Sequence, residues 1–414
     1  MFLKNIPLVL TRATRTLIAT AANLSPRLKA SAAFLTLCLI VGTFWIQPAL
    51  ANTAPPPAPA AISLASITDY IWSFFESNDG PRHRPTAPVV EGQDLNGARQ
   101  TPPIANALVC PSTAGVTRTV GNSGGPLDYP TIQAAINASS TIQKDTIDIY
   151  PGTYAEQIIV NKCVIIKGHA AGVTIQSPTS LAPSSVPGIT TAASVVEVRS
   201  QATTEITNLT VAGPLTTTGC GQERYGIYVN EGADLTLTNV TVDSMLSGAV
   251  NGPYFGCQEV SAIRVGSSAG NQVGTLHASN LTVSNFQKTG IIASGPGSNV
   301  NIQNSNIIGV GNQPTIAQNG VQISGGATGS VTGSNIRGLA CGNPGCSFSN
   351  YYSYGILLYG SGTIEGNTFE TSDAAVYVWS PGGSSTIDGN TVNTTRYSGI
   401  YLDEGTHTVT NNMI

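Results

Sequence analysis

Short apolar alternations recur in the second half of the chain, and each is followed by a polar turn. Residues 225–242 read YGIYVNEGADLTLTNVTV, in which three segments alternate apolar and small polar positions as β-strands do. The same order returns at 262–283 and at 290–307. The first strand of each copy aligns on one apolar residue, and the aligned residues are Val196, Ile227, Ile263, Ile291, Val321, Ile356, Val376 and Ile400.

The spacing of the copies predicts a solenoid of strands. Successive copies lie 20 to 36 residues apart, whereas helical repeats such as tetratricopeptides keep one length. A β-sandwich is disfavoured because its strands would not return to one motif. We therefore predict an all-β fold, a right-handed parallel β-helix with three strands per coil and coils spaced by about 4.8 Å.

Asparagine recurs at the second turn of the coils. Buried asparagines stacked from coil to coil can satisfy one another through amide hydrogen bonds, so we predict a ladder at this turn. Its members are Asn208, Asn239, Asn280 and Asn304, with Asn335, Asn367 and Asn390 in shifted register.

The first quarter of the chain has a different organisation. Residues 1–51 contain a basic segment without acids and an apolar run at 32–46, which is shorter than the roughly 20 residues of a membrane span. Ala49-Leu50-Ala51 fits a cleavage site, so we predict an export signal peptide, with a retained membrane anchor as the alternative. Residues 52–105 are a Pro/Ala-rich linker or irregular segment, 106–146 form the N-terminal cap of the solenoid, and 147–414 form the β-helix.

Composition and cysteine content agree with a secreted or cell-surface protein. Charged residues make up only 10% of the chain and the net charge is −4, which gives no reason to expect nucleic acid or an anionic membrane as partner. Besides Cys38 in the leader there are six cysteines, which we pair as Cys220 with Cys257, Cys341 with Cys346, and Cys110 with Cys163. No CxxC pair or His/Cys cluster occurs, so we predict no metal site and no cofactor.

Residues 128–168 carry a more specific pattern. DYPTIQAAINA (128–138) is followed by IDIYPGTYAEQIIV (147–160) and VIIKG (164–168). This order resembles the opening of the pectinesterases and of the wider pectin lyase-like superfamily, and the resemblance extends to about residue 242. It implies that an amphipathic helix caps the solenoid and that PGTY-x-E marks its entrance without taking part in catalysis.

The pectinesterase catalytic residues do not carry over. Tyr225 stands at the family's glutamine and Ser261 at its nucleophilic aspartate, and VDSMLSGA (242–249) lacks the paired acid motif although Asp243 lies nearby. The motifs of polygalacturonases and the calcium-binding strand of pectate lyases are also missing. We therefore do not predict pectinesterase activity, and the sequence leaves open whether the protein is an enzyme.

Strand alternation predicts two outward columns on the first strand of each coil. If Ile227 and Val229 point inward, Tyr228 and Asn230 point outward, and we expect a solvent-exposed face walled by the variable loops. The first column is Glu197, Tyr228, Arg264, Ile292, Gln322, Leu357, Tyr377 and Tyr401. The second is Arg199, Asn230, Gly266, Ser294, Ser324, Tyr359, Trp379 and Asp403.

Two groups on these columns are candidate sites. Arg264 could neutralise a uronate carboxylate while Tyr228 or Glu197 removes the α-proton, as a lyase or epimerase requires. Arg199 and Asn230 would help to bind the substrate. The alternative explanation of the charges is a surface ion pair of Glu197 with Arg264 or Arg199, which would stabilise little. The second group consists of rings suited to stacking on sugars, with Trp379 as main anchor: Tyr359, Tyr377, Trp379 and Tyr401.

Three functions fit the sequence. The first is an exported enzyme acting on polysaccharide, most plausibly a uronate-polymer lyase or epimerase. The second is a non-catalytic carbohydrate-binding or adhesive β-helix, and the third is a purely structural surface repeat. Polysaccharide is the predicted partner, and a membrane is one only if the leader is retained.

Overall fold

The computed structural model describes residues 110, 113–121, 125–140, 144–185, 192–215, 221–246, 258–268, 272–313, 316–342 and 352–414. The chain divides into two units, residues 1–67 and 68–414, and every described residue belongs to the second. The predicted signal peptide, the linker and the bridge between Cys220 and Cys257 lie outside the described residues.

Strands of each coil fall on three faces. Face 1 carries the first strand of each coil, and its members are β5 (Ile158–Val160), β8 (Ala193–Val198), β11 (Arg224–Val229), β14 (Val260–Val265), β17 (Thr289–Ser294), β20 (Asn319–Ser324), β23 (Tyr354–Leu358), the second half of β25 (Thr368–Val378) and β28 (Thr395–Leu402).

Face 2 is a sheet of twelve strands within the described part of the chain. They are, in spatial order, β2 (Asp128–Tyr129), β1 (Ala114–Val120), β3 (Lys144–Ile149), β6 (Val164–Gly168), β9 (Thr203–Thr207), β12 (Ala233–Thr238), β15 (Gly274–Ser279), β18 (Asn299–Gln303), β21 (Thr328–Thr332), β24 (Gly362–Glu365), β26 (Ser384–Asp388) and β29 (Thr406–Thr410). Face 3 holds β4 (Gly152–Ala155), β7 (Val173–Gln176), β10 (Thr210–Ala212), β13 (Thr241–Asp243), β16 (Thr282–Ser284), β19 (Asn306–Gln313), β22 (Asn335–Cys341), the first half of β25 and β27 (Thr391–Val392).

The register of face 1 confirms the predicted repeat. Ile227 lies opposite Val196 on one side and Ile263 on the other, and the pairing continues through every aligned residue as far as Ile400. The strands of these pairs are parallel. Their aliphatic side chains point into the coil and are fully buried except at Ile400, where they form one continuous core. The inward parity of Val376 and Val378, on which the outward position of Trp379 depends, is likewise confirmed.

The asparagine ladder exists, but its first part lies on the surface. Asn239 donates from Nδ2 to Asn208 Oδ1 (3.1 Å), and Asn280 donates to Asn239 Oδ1 (3.2 Å). These residues are exposed and have φ between 52° and 56°, so the prediction of burial was wrong for them. They stand at a left-handed turn position, which asparagine tolerates better than most residues.

The later asparagines form a second ladder inside the coil. Asn367 and Asn390 are buried, and Nδ2 of Asn367 donates to Oδ1 of Asn390 (3.0 Å). Asn390 in turn donates to Oδ1 of Asn412 (2.9 Å), and the backbone N–H of Ser334 donates to Oδ1 of Asn367 (3.0 Å). The prediction of buried, mutually bonded asparagines is correct for this part of the turn.

A short helix closes the beginning of the solenoid. Helix α1 (Ile132–Ala138) buries Ile132 and Ile136, and the Thr131 side chain caps its first turn. The carboxylate of Glu156, in the PGTY-x-E segment, accepts hydrogen bonds from the backbone N–H groups of Ile132 (2.9 Å) and Gln133 (3.1 Å). The predicted capping helix is thus confirmed, and Glu156 has a structural role in holding it.

Disulfides support the first coils and one late turn. Cys110 is bonded to Cys163 with a Cα–Cα distance of 5.6 Å, which confirms the predicted link between cap and first coils. Cys341 is disulfide-bonded, while Cys346, its predicted partner, lies outside the described residues. Among the helices that the structure describes, none has the length and apolar character needed to span a membrane.

Candidate functional site on the outer side of face 1

The two predicted outward columns are present in the predicted order. Tyr228 lies opposite Glu197 and Arg264, and the first column continues in register through Leu357 and Tyr377 to Tyr401. Alternation along each strand therefore places all these side chains on the outer side of face 1.

The group around Glu197, Tyr228 and Arg264 was predicted to be exposed to solvent, and this prediction was wrong. Glu197 and Tyr228 are each 1% exposed, Arg264 is 9% exposed and Asn230 is fully buried. Residues leading into face 1 cover part of this layer, since Ser184 and Ser185, which precede β8, contact the group. Strand parity fixes which side chains point outward, but it does not show what packs over them.

Glu197 is the centre of a hydrogen-bonded network. Its Oε1 accepts from Ser184 Oγ (2.7 Å) and Asn230 Nδ2 (3.1 Å), and Arg199 Nη1 lies 3.8 Å away. Arg199 also donates to Ser185 Oγ (2.6 Å). The side chain that was predicted as a base therefore has two close donors inside the protein.

Arg264 and Tyr228 adjoin this network. Arg264 donates from Nε to the carbonyl of Gly266 (2.9 Å) and from Nη2 to Ser267 Oγ (3.2 Å). The Tyr228 ring packs on Tyr225 at 5.2 Å between centroids. Burial raises the pKa of Tyr228, although the charge of Arg264 acts in the opposite direction. A tyrosine with a raised pKa is a poor proton acceptor at neutral pH.

The second group forms a continuous set of rings at the other end of face 1, which we call the aromatic patch: Tyr359, Tyr377, Trp379, Tyr397 and Tyr401. Tyr377 stacks on Tyr401 at 5.3 Å with an interplanar angle of 15°. Tyr359 meets Trp379 edge-on at 5.6 Å and Tyr377 edge-on at 6.0 Å. Three coils thus contribute rings to one surface.

Exposure differs within the aromatic patch. Trp379 is 40% exposed and Tyr397 is 42% exposed, whereas Tyr377 is only 4% exposed and was wrongly predicted to face solvent. Tyr352 and Tyr354, just before and at the start of β23, pack beneath the patch together with Leu357. The patch is therefore a buried tyrosine layer with exposed rings at its edge.

Polar groups at this end include two that sequence reasoning did not select. Asp373 is buried and accepts from the backbone N–H groups of Cys341 (2.9 Å) and Ser353 (3.0 Å). Arg396 lies 3.5 Å from Asp373 Oδ1 and donates to the Cys341 carbonyl, so it joins separate coils. Asp373, between the two halves of β25, was the signal available in the sequence. Its hydrogen-bond donors, the backbone N–H groups of Cys341 and Ser353, come from other turns and could not be predicted.

One polar groove lies on the outer side of face 2. Its volume is about 390 Å³, and asparagine, threonine, serine and glycine side chains line it without any aromatic ring. No group of three or more potential metal ligands converges within the described residues. The outer side of face 1 is therefore the stronger candidate site.

Comparisons with known proteins agree with this architecture. Residues 261–414 match the family described as right handed beta helix region. The protein is a right-handed parallel β-helix. This match confirms the predicted fold in the later coils.

Solved structures similar to this β-helix are distant. A rhamnogalacturonan lyase has 13% identity and a TM-score of 0.44 over 72% of this chain and 87% of its own. A pectin methylesterase in complex with a hexasaccharide has 13% identity and a TM-score of 0.37 over 69% and 80%. The rice weevil pectin methyl esterase has 13% identity and a TM-score of 0.34 over 87% and 98%. At these scores the likeness carries no argument about activity, and no curated protein matches the chain.

Proposed function

We propose that this β-helix is an exported protein that binds extracellular polysaccharide on the aromatic patch. The observation that carries the proposal is the exposed Trp379 ring, held edge-on against Tyr359 above a packed tyrosine layer. Exposed rings that form part of a continuous apolar surface are typical of ligand sites. Flat rings with polar edges suit the alternating apolar and hydroxylated faces of sugars.

Export is supported by the leader and by disulfide chemistry. Residues 1–51 have the composition of a signal peptide, and Cys110 is bonded to Cys163. Disulfides persist mainly in oxidising, extracytoplasmic compartments. A protein in that location meets polysaccharides of cell walls and matrices.

Binding fits the geometry better than proton abstraction does. A lyase or epimerase reaction needs substrate to reach Glu197, Tyr228 and Arg264, and these side chains are almost fully covered. Glu197 already accepts two hydrogen bonds, and the pKa of Tyr228 is raised by burial. These contacts favour a structural role for the group, and its catalytic role remains a prediction.

The test compares Trp379→Ala with Val116→Ala, which removes an apolar side chain of similar exposure (43%) at the other end of the described chain. We expect Trp379→Ala to weaken polysaccharide binding about tenfold, since truncating an interface anchor costs roughly 1–3 kcal/mol. Val116→Ala should leave affinity unchanged, and both variants should keep the melting temperature of the parent protein.

Either of two kinds of result, a binding result or turnover, would overturn the proposal. The first is unchanged affinity per folded molecule in Trp379→Ala, or the absence of polysaccharide binding by the parent protein. The second is turnover: release of unsaturated uronate ends by the parent protein, followed by absorbance and abolished in Arg264→Ala, would make the protein a lyase.

A further inference from the structure

The charges around the aromatic patch have one dominant sign. Residues 352–414 contain six acidic residues and a single basic one, Arg396. Asp403 and Glu404 are exposed at the end of β28, and the Glu404 carbonyl accepts from the backbone N–H of Ser380, next to Trp379. The surroundings of the exposed tryptophan are therefore acidic.

Arg396 lies at the Tyr397 end of the patch, with its guanidinium 5.7 Å from the centre of the Tyr397 ring. Its guanidinium donates to the Cys341 carbonyl and to Asn312 Oδ1 (3.2 Å) and lies 3.5 Å from buried Asp373. Its charge is balanced by Asp373, so the exposed carboxylates of Asp403 and Glu404 set the sign beside Trp379. The arginines of the other end, Arg199 and Arg264, are engaged in the buried network.

Asp403 occupies the coil position that follows Trp379. The backbone N–H of Trp379 donates to Leu358 and that of Asp403 donates to Val378, so the two residues are neighbours in the second column. The Tyr377 hydroxyl donates to Asp403 Oδ2 at 3.4 Å, which leaves further lone pairs of the exposed carboxylate for other donors.

Ring and carboxylate together fit one ligand chemistry. A carboxylate accepts hydrogen bonds from sugar hydroxyls, and charge-assisted bonds of this kind are stronger than neutral ones. The same carboxylate repels a uronate, because like charges placed against each other at an interface are unfavourable. The buried hydroxyl of Tyr377 stays a neutral donor, since burial and the nearby Tyr359 and Asp403 raise its pKa.

From this geometry we infer that the aromatic patch takes neutral, hydroxyl-rich polysaccharide and discriminates against polyuronates. The inference rests on the proposed binding function and specifies its ligand class. It separates the aromatic patch from the uronate-directed chemistry that the outward charges of the first coils suggested for Arg264.

The experiment measures binding of the full chain to a soluble neutral β-glucan, a neutral galactomannan, polygalacturonate and chitosan at low and moderate salt. The variants are Asp403→Asn/Glu404→Gln and, as matched control, Asp388→Asn, which neutralises a partly exposed aspartate on face 2. Melting temperatures establish that each variant is folded.

We expect at least one neutral polymer to bind at least tenfold more tightly than polygalacturonate. The double variant should bind that neutral polymer about threefold to tenfold less tightly and should reduce the discrimination against polygalacturonate. Asp388→Asn should change neither affinity.

Three outcomes distinguish failure of the proposed ligand class from failure of the proposed binding function. Polygalacturonate binding as tightly as the neutral polymers, with loss in Trp379→Ala, overturns the ligand class and leaves the binding function standing. Preference for chitosan at both salt concentrations, lost in the double variant, likewise overturns neutrality. Absence of any binding that depends on Trp379 overturns the proposed function itself.

Discussion

The two ends of face 1 share one backbone register but differ in almost all of their outward-pointing side chains. At β8, β11 and β14 the outer layer is a buried network of charged and polar groups around Glu197. At β23, β25 and β28 the equivalent positions hold Leu357, Tyr377 and Tyr401, and Trp379 lies exposed beside them. The inward aliphatic column is common to both ends and fixes the fold, so the outer side chains are free to determine what each end does.

The turn between faces 2 and 3 differs in the same way. Early coils place asparagine at the left-handed position and an aliphatic residue after it, as in Asn239-Val240. Late coils place glycine there and a buried asparagine after it, as in Gly366-Asn367. The polar ladder therefore moves from the surface into the interior along the solenoid, although the backbone conformation at the turn stays the same.

The largest expected effect is a difference in stability between a variant in the buried network and a variant at an exposed ring. Tyr228→Ala removes a fully buried ring that packs on Tyr225, and we expect a loss of about 3–5 kcal/mol in the free energy of unfolding. Tyr397→Ala, at an exposed ring, should cost less than about 1 kcal/mol. Chemical denaturation measures both, and equal losses would contradict the distinction between the two ends.

A smaller loss should come from the interior ladder. Asn367→Leu keeps the volume but leaves the buried Ser334 N–H without its acceptor, which costs about 2 kcal/mol. The control is Asn393→Leu, on the exposed side of the next coil, with an expected change within about 0.5 kcal/mol. Similar stability of the two variants would show that the buried amides do not stabilise the late coils.

Two aspartates of the late coils should respond to pH with opposite sign. Burial raises the pKa of Asp373 despite hydrogen bonds from Ser353 and Cys341, whereas hydrogen bonds from Thr410 and Asn411 lower the pKa of Asp388. A raised pKa in the folded state means that the folded protein binds the proton more tightly, so stability falls as pH rises above the ordinary carboxyl pKa of 3.8. A lowered pKa makes stability rise with pH above the folded-state value.

The measurement is the free energy of unfolding from about pH 3 to pH 7 for the parent protein, Asp373→Asn and Asp388→Asn. Relative to Asp373→Asn the parent should lose stability as pH rises, and relative to Asp388→Asn it should gain stability. The same slope for both pairs would contradict the assignment of the two environments.

The smallest effect should come from the exposed ladder. Asn239 has a φ of 54°, and glycine occupies the equivalent position in late coils, so Asn239→Gly should change stability by less than about 0.5 kcal/mol. Asn239→Ala should cost about 1 kcal/mol because alanine is strained in the left-handed region. Thermal unfolding of the two variants checks the order, and a larger loss in the glycine variant would show that amide bonding outweighs backbone conformation.

Sequence periodicity predicts this fold because the inward residues obey one simple rule. Aliphatic pairs such as Ile227 and Val229 recur at every coil, and their alignment gives the strand register directly. The same rule does not predict the burial of Glu197 and Arg264, because that depends on segments outside the strands, such as the one containing Ser184.

The exposed edge of the aromatic patch was predictable only in part. The outward position of Trp379 follows from the inward parity of Val376 and Val378. The burial of Tyr377 could not be predicted, because it depends on packing by Tyr352 and Tyr354. Tyr354 begins the neighbouring strand β23, and Tyr352 precedes that strand. The position of Asp403 beside Trp379 follows from counting residues. Its proposed effect on ligand choice also depends on the surrounding charges, which the count does not give.

The most direct measurement follows Trp379 itself during polysaccharide binding. The chain has three tryptophans, so the full chain carrying Trp45→Phe and Trp72→Phe retains Trp379 as its single tryptophan. On titration with a neutral β-glucan or galactomannan, we predict a saturable shift of the Trp379 emission to shorter wavelengths and protection from acrylamide quenching, with little response to polygalacturonate. Unchanged emission while the polymer binds would contradict the account, because the ligand would then be held elsewhere on the protein.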